Sequence, residues 1–196
     1  PVPDFRYYVE EASKVPDLVA VSVSTRPDCI RREYMEVLKS ISERYQLDIT
    51  IELGLQTVNY RTLASINRGH GIAEYIDAVL LIREYGFELC THVIVNLPGD
   101  DMTDCIETAR VVSALRTDVV KIHSLYIAKN TRLCEEFESG TISVCSKEEY
   151  IRRLVAFLEN LSPDIAVERL FSRVPEKDAV FSNWGKSWWA LRDELF

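Results

Sequence analysis

Side chains of types that bind ligands recur near the ends of four apolar, strand-like segments. Longer stretches with helical spacing separate the segments, which predicts parallel strands. The carboxyl ends of parallel strands meet at one edge of a sheet, where α/β proteins bind ligands. The residues are Ser22 and Ser24, Glu52 and Gln56, His92 and Asn96, and Lys121 and His123. They indicate either a shared ligand site or ordinary lumen and loop residues with internal partners.

Glu52 and Lys121 are the charged members of this set. If both point inward, burial of either charge alone is strongly unfavourable, so each needs a partner of opposite charge. They are expected to pair with each other or with a ligand that carries both an amino and a carboxylate group. The alternative is a purely structural ion pair.

Asn67–Gly71 joins two predicted helices and contains an arginine between small residues. Its two glycines would let the backbone approach a ligand, and Arg68 could hold a carboxylate through two parallel hydrogen bonds. The same glycines would also serve simply to turn the chain. The acidic run Leu97–Asp101 is interpreted as a turn before a helix, and the three histidines lack metal-ligand spacing. No metal site is predicted, and no catalytic residue is assigned.

Length and composition favour one globular domain. The chain has 196 residues, 47% apolar residues and a formal net charge of −8. An acidic balance argues against a broad nucleic-acid surface. The apolar runs are far shorter than the roughly 20 residues of a membrane span, so no membrane association is expected. Five well-separated cysteines fit reduced thiols, which predicts a cytoplasmic protein.

Strand-like and helix-like segments alternate along the chain, which predicts an α/β fold with a parallel sheet. Polar residues occupy alternate positions in several strands, as expected if one face of the sheet lines a barrel lumen. The predicted strands are Leu18–Ser24, Asp48–Leu53, Phe87–Asn96, Val119–Leu125 and Ile165–Leu170. We expect residues 1–170 to form this barrel part and residues 171–196 to form a C-terminal tryptophan-rich arm.

Five short motifs follow one another along the chain: Val21–Asp28, Ile51–Thr57, Ile66–His70, Asn96–Gly99 and Val120–His123. Together and in this order they resemble the radical S-adenosylmethionine (SAM) superfamily. The likeness is strongest to an uncharacterised bacterial family related to the Elongator catalytic subunit and to oxygen-independent coproporphyrinogen oxidase. It covers nearly the whole chain.

This resemblance implies a partial (βα)6 TIM-like barrel and a 4Fe-4S cluster that cleaves SAM to a 5′-deoxyadenosyl radical. Carried over by position, it places Ser24 near the ribose or methionine part of SAM and Glu52 and Gln56 in the fourth-strand motif, with Gln56 on the ribose. It places Arg68 on the SAM carboxylate. His92 stands at a ribose position that is often acidic in relatives. Asn96 replaces a glycine that usually precedes Leu-Pro-Gly.

The cluster motif CxxxCxxC of this superfamily does not occur in the sequence. We therefore expect a C-terminal part of a radical SAM protein, beginning just before the third barrel strand. The missing N-terminal part of the barrel is its expected partner and the source of the cluster ligands. An apolar, exposed edge strand at Leu18–Ser24 agrees with this expectation, because such edges normally need cover.

Three functions remain open from the sequence. The first is part of a radical SAM iron-sulfur enzyme, in which this chain supplies SAM-binding strands but is not expected to be active alone. The second is a cluster-less binding or scaffold module of the same fold. The third is an ordinary barrel enzyme that uses the strand ends for acid-base chemistry. The substrate is unknown, with RNA and a small molecule both compatible.

Overall fold

The computed structural model describes residues 1–174 and 176–195, and these contain eight α-helices and seven β-strands. The helices are α1 (Val2–Ala12), α2 (Arg32–Tyr45), α3 (Tyr60–Ser65), α4 (Ile72–Glu84), α5 (Met102–Ala114), α6 (Arg132–Glu138), α7 (Lys147–Glu159) and α8 (Trp188–Leu195). The strands are β1 (Ala20–Thr25), β2 (Asp48–Gln56), β3 (Glu88–Ile94), β4 (Val119–His123), β5 (Tyr126–Ala128), β6 (Ala166–Arg169) and β7 (Ala179–Ser182).

Five strands form one parallel sheet in the order β1-β2-β3-β4-β6. Helices connect successive strands, and the sheet is open, with β1 and β6 as its edges among the described residues. The predicted α/β fold, a partial TIM-like barrel with a parallel sheet, is therefore confirmed. All five predicted strands are present with shifted ends.

The two faces of this sheet differ as the alternation in the sequence predicts. Ile49, Ile51 and Leu53 of β2 are buried on the outer face. They belong to the main core together with Leu38 and Ile41 of α2. The inner face carries the polar residues at the opposite parity. The apolar side chains at alternate positions are buried against the helices, and this fixes which side chains face inward. A shift of one residue would move every side chain of the strand to the opposite face.

A second, two-stranded sheet was not predicted. β5 and β7 pair antiparallel, with Tyr126 opposite Ser182. Three- and four-residue strands give too short a pattern for sequence periodicity to detect. This ribbon covers a small apolar cluster around Leu125, Ile127 and Cys134.

The sequence predicts Thr103 as the N-cap of the helix that contains Ile106 and Glu107, but helix α5 begins at Met102. Asp101 is the cap, and its Oδ1 accepts hydrogen bonds from the amides of Thr103 (2.7 Å) and Asp104 (3.1 Å). The Asp104 carboxylate in turn accepts from the Asp101 amide at 2.8 Å. Asp101 is favoured over Thr103 as the N-cap because it makes these reciprocal hydrogen bonds and because its negative charge interacts favourably with the helix dipole.

The C-terminal segment packs against the barrel part. The Trp184 indole lies 5.1 Å from the Tyr150 ring, and its Nε1 donates a hydrogen bond to the Cys145 carbonyl at 2.9 Å. For Trp184–Leu195 the sequence predicts a terminal helix or arm, and its helical part, α8, begins at Trp188. Positive φ angles at Asn183 and Trp184 break the helical path. The division into residues 1–170 and an arm at 171–196 stays a prediction.

Strand β1 forms an exposed edge of the sheet, as predicted. It pairs with β2 on one side. The side chains of Ser22 and Ser24 are exposed, and Val19 just before the strand is 76% exposed. In the described part of the chain, no helix is long and apolar enough to cross a membrane.

Candidate functional site

Glu52 is the centre of a hydrogen-bonded cluster on the inner face of the sheet. Its Oε1 accepts a hydrogen bond from Lys121 Nζ at 2.6 Å, and its Oε2 accepts one from Ser24 Oγ at 2.8 Å. The register places Ser24 directly opposite Glu52, whereas Lys121 lies opposite His92 and its long side chain reaches Glu52 across β3. The two charges thus pair with each other, one of the two arrangements expected from the sequence.

Burial and hydrogen bonding act in opposite directions on this pair. Burial raises the pKa of Glu52, but the hydrogen bonds from Lys121 and Ser24 outweigh it and hold that pKa below its ordinary value. Burial lowers the pKa of Lys121, yet its bonds to Glu52 and to Glu168 at 3.1 Å leave it raised. Both groups are therefore charged at neutral pH.

His92 and His123 lie side by side beyond this pair, with ring centroids 5.1 Å apart. Burial lowers the pKa of both rings; that of His123 falls to about 4, with a further contribution from His92. His92 Nε2 approaches Glu52 Oε2 at 3.2 Å, but outside hydrogen-bonding geometry. Within the described residues, both buried Nε2 atoms lack a hydrogen-bond partner. Two neutral imidazole rings therefore stand side by side on this wall.

Gln56 and Arg68 meet over Gly54 at the end of β2. Arg68 Nη2 donates to the Gly54 carbonyl at 3.0 Å, and its Nε lies 3.3 Å from His70 Nε2. A Cβ on Gly54 would lie 2.9 Å from Gln56 Nε2 and 3.1 Å from Arg68 Nη2. A larger residue here would therefore push the ends of the Gln56 and Arg68 side chains from their positions. A β-bulge between Gly54 and Gln56 turns the strand end towards Arg68.

The Arg68 guanidinium is half-buried. Burial and then the nearby Arg26 lower its pKa, and among the described residues it forms no ion pair with a carboxylate. A buried cation without a paired carboxylate favours an anionic ligand.

A cleft of about 430 Å³ lies at these strand ends. Its polar side is formed by Gln56, Arg68, His92, His123, Ser124 and Ser172, and its apolar side by Ile66, Ile94, Leu97, Leu125, Tyr126 and Leu133. Of the five residues predicted from the sequence, Gln56, Arg68 and His92 line this cleft. Ser24 and Glu52 do not line it and reach it only through the contact between Glu52 and His92.

A buried polar network at one end of the cleft was missed from the sequence. Ser124 Oγ donates to Asn183 Oδ1 at 2.5 Å and accepts from the Ser172 amide at 3.0 Å. Asn183 Nδ2 donates to the Ser172 carbonyl at 2.9 Å. These residues come from segments far apart in sequence, so no local pattern could reveal the network. Asn96 has a similar role, since its Oδ1 accepts from the Leu125 amide at 2.6 Å.

Comparisons with known proteins agree with this geometry. The family model described as "Radical SAM superfamily" matches residues 2–112, and the model described as "Radical_SAM C-terminal domain" matches residues 117–195. An uncharacterised protein of Methanocaldococcus jannaschii is 36% identical over 169 residues, which are 86% of this chain and 52% of that protein.

Two solved structures share the fold. Archaeal Elp3 from Methanocaldococcus infernus, with an N-terminal deletion, aligns with a TM-score of 0.77 at 19% identity, over 96% of this chain and 45% of Elp3. Coproporphyrinogen III oxidase (HemN) from Escherichia coli, a radical SAM enzyme, aligns with a TM-score of 0.52 at 17% identity, over 71% of this chain and 30% of HemN.

The chain spans 52% to 61% of the length of the most similar curated relatives. One family model covers more than half of the chain, and the second covers most of the remainder. The likeness to Elp3 and HemN agrees with the resemblance that the motifs predict. The chain therefore belongs to the radical SAM superfamily.

Proposed function

We propose that this chain forms part of a radical SAM iron-sulfur enzyme and contributes the wall that binds one side of SAM. The observation that carries the proposal is the cleft of about 430 Å³ at the carboxyl ends of β2, β3 and β4. It combines a half-buried guanidinium and two neutral imidazole rings on one side with apolar side chains on the other. SAM has a carboxylate, a ribose and an aromatic base, and these chemistries match the two sides.

The polar side fits the methionine and ribose parts of SAM. Arg68 is held by the Gly54 carbonyl and has no carboxylate partner in the described part of the chain, so it is assigned to the SAM carboxylate. Gln56, beside it, and His92 are assigned to the ribose. Ser24 and Glu52 lie behind this polar side: Ser24 is hydrogen-bonded to Glu52, and the Glu52 carboxylate lies 3.2 Å from His92 Nε2. Bound together with a reduced 4Fe-4S cluster, SAM supplies a 5′-deoxyadenosyl radical in this superfamily.

The inner-wall residues keep a fixed charge pattern during such chemistry. The paired Glu52 and Lys121 stay ionised at neutral pH, whereas burial keeps His92 and His123 neutral. A neutral imidazole can accept or donate a hydrogen bond to a ribose hydroxyl. The residues of this chain therefore orient the cofactor, and no catalytic residue is assigned among them.

The described residues do not fit an iron-sulfur cluster. In residues 1–174 and 176–195, no group of three or more His, Cys, Asp or Glu side chains could hold a metal ion. Buried thiols also have raised pKa values, to about 12 for Cys90 and Cys105, which disfavours the thiolate that a cluster needs. The proposal therefore assigns the cluster ligands to a segment outside this chain.

The exposed edge of β1 is the proposed contact for that segment. A cleft of about 310 Å³ beside it is lined by apolar residues including Phe5, Val23, Tyr34 and Leu38. Further strands and helices of the barrel would cover both the strand edge and this cleft. The substrate, RNA or a small molecule, would then reach the barrel interior. The cytoplasmic location predicted from the separated cysteines remains part of the proposal.

A SAM-binding titration of the full native protein that contains this chain tests the assignment. Calorimetry with wild type and Arg68→Gln is expected to show at least about tenfold weaker binding in the variant, since a charge-assisted bidentate contact is lost. Arg61→Gln is the matched control, because Arg61 is exposed on α3 and contacts Tyr60. Equal affinity of Arg68→Gln and wild type would remove Arg68 from the site.

The coding sequence upstream of Pro1 separates enzyme from scaffold. An in-frame CxxxCxxC about one hundred residues upstream, together with iron and sulfide in the purified protein, supports the enzyme. A reading frame that starts at or near Pro1 would instead favour a cluster-less binding module of the same fold.

A further inference from the structure

A second cleft, of about 460 Å³, lies between β6, α7 and α8 and outside the proposed SAM site. Its size lies within the range of small-ligand pockets, about 300–1,000 Å³. We call it the arginine cleft. It is lined by Leu158, Val167, Glu168, Arg169, Leu170, Phe171, Arg173, Trp188 and Arg192.

The arginine cleft has a positive rim in a chain whose net charge is −8. Arg169 and Arg173 form no ion pair with the carboxylates whose side chains the structure describes, whereas Arg192 pairs with its exposed neighbour Asp193 at 2.8 Å. The one carboxylate in the lining, Glu168, is engaged by Lys121 at 3.1 Å. Two guanidinium groups without an ion-pair partner, with the paired Arg192 beside them, are complementary to an anion that carries several oxygen atoms.

The arginine cleft also offers an aromatic wall. The Arg173 guanidinium lies 3.8 Å from the centroid of the Trp188 ring, and that of Arg192 lies at 5.9 Å. Stacking on the indole orients the planar guanidinium before any ligand arrives. Phe171 and Leu158 form the apolar floor, and Val167 is 41% exposed. A ligand that fills this space therefore combines an anionic group with a flat apolar group.

We propose that the arginine cleft binds a nucleotide unit, with its phosphate on the arginines and its base on the apolar floor, beside the Trp188 ring that positions Arg173. The unit could be a free nucleotide or one residue of an RNA strand, because both present the same chemistry. Glu168 connects the arginine cleft to the inner wall through Lys121, so an RNA bound here would lie next to the barrel interior. The proposal stands independently of SAM binding.

Fluorescence titrations of the full native protein test the proposal. The probes are adenosine and uridine monophosphates, a labelled single-stranded oligoribonucleotide of about ten residues, and inorganic phosphate. The variants are Arg173→Gln and Trp188→Leu. Their matched controls are Arg132→Gln, whose side chain is 85% exposed on α6, and Trp189→Leu, which is 56% exposed and outside the lining. SAM titration of the same variants reports on the other site.

We expect Arg173→Gln and Trp188→Leu each to weaken binding of a nucleotide or of the oligoribonucleotide about tenfold or more, with both controls and SAM affinity unchanged. Binding of the mononucleotides identifies a free nucleotide as the ligand, and binding of the oligoribonucleotide alone identifies RNA. The proposal is overturned if neither probe binds, or if Arg132→Gln weakens binding as much as Arg173→Gln. It is also overturned if inorganic phosphate competes as well as the nucleotides, since the base would then contribute nothing.

Discussion

Removal of the Glu52 charge should destabilise the fold more than removal of any exposed carboxylate. In Glu52→Gln, Lys121 loses its 2.6 Å partner while its side chain is only 10% exposed. Breaking a fully buried ion pair by removing one partner costs about 3–5 kcal/mol. Here the Glu52 side chain is 16% exposed and Lys121 keeps Glu168 at 3.1 Å, so we expect a loss of about 2–3 kcal/mol.

The assay is urea unfolding followed by circular dichroism at neutral pH, with a double-mutant cycle of Glu52→Gln, Lys121→Met and both together. The double variant should lose less than the sum of the single variants, with a coupling energy of about 1–3 kcal/mol. Glu84→Gln is the control, because Glu84 forms an exposed ion pair with Arg32 at 2.7 Å. Its unfolding midpoint should not change.

The pH dependence of the pair adds a second check. The pKa of Glu52 is lowered by folding, so its contribution is present above its unfolded value and is lost as pH falls through the folded value. The pKa of Lys121 is raised, so its contribution is present below its unfolded value and is lost as pH rises through the folded value. The difference between wild type and Glu52→Gln should therefore be constant around neutral pH. Strict additivity of the two single variants, or a loss below about 0.5 kcal/mol in Glu52→Gln, would refute this account of the inner wall.

Other variants address the strand end, the histidine wall and the helix cap. Gly54→Ala should weaken SAM binding, measured by calorimetry, because its Cβ displaces Arg68; unchanged binding would contradict the close approach. Burial lowers the pKa of His123 to about 4 in the folded protein, so the stability that depends on a neutral His123 is present above pH 6.5 and is lost as pH falls towards 4. The urea unfolding midpoint of His123→Gln should therefore fall less over that pH interval than the midpoint of wild type. Asp101→Ala should lower the free energy of unfolding, measured in urea, by about 1 kcal/mol, and Thr103→Ala should lower it much less. A larger loss in Thr103→Ala would indicate that Thr103 caps the helix.

The parallel sheet and its polar inner face were predictable because both leave a regular pattern. Side chains alternate between the two faces of β2, so Glu52 points to the inner face and Ile51 and Leu53 point to the outer face. The same alternation in β4 places Lys121 on the inner face. Electrostatics predicted that each of the two inward charges needs an opposite charge, and left open whether that partner is the other residue or a ligand. The structure shows the direct pair, formed across β3 between β2 and β4.

Contacts between distant segments were not predictable. The hydrogen bonds among Ser124, Ser172 and Asn183 depend on how the β5–β7 ribbon docks, and serine and asparagine are too common to mark a site. The arginine cleft was also not predicted from the sequence, because Arg169 of β6 and Arg192 of α8 line one cleft only once the chain has folded. The tryptophan-rich segment predicted a C-terminal arm, but not that Trp188 in this arm would line a cleft.

The strand order has a consequence for how the chain folds during synthesis. Each strand of the parallel sheet pairs with the strand made just before it, from β1 to β4 and then β6. The sheet can therefore grow in the direction of translation, one strand and helix at a time. Tyr126 must instead wait for Ser182, which the ribosome adds more than fifty residues later. We expect the ribbon, and with it the closed end of the cleft, to be the last part of the fold to form.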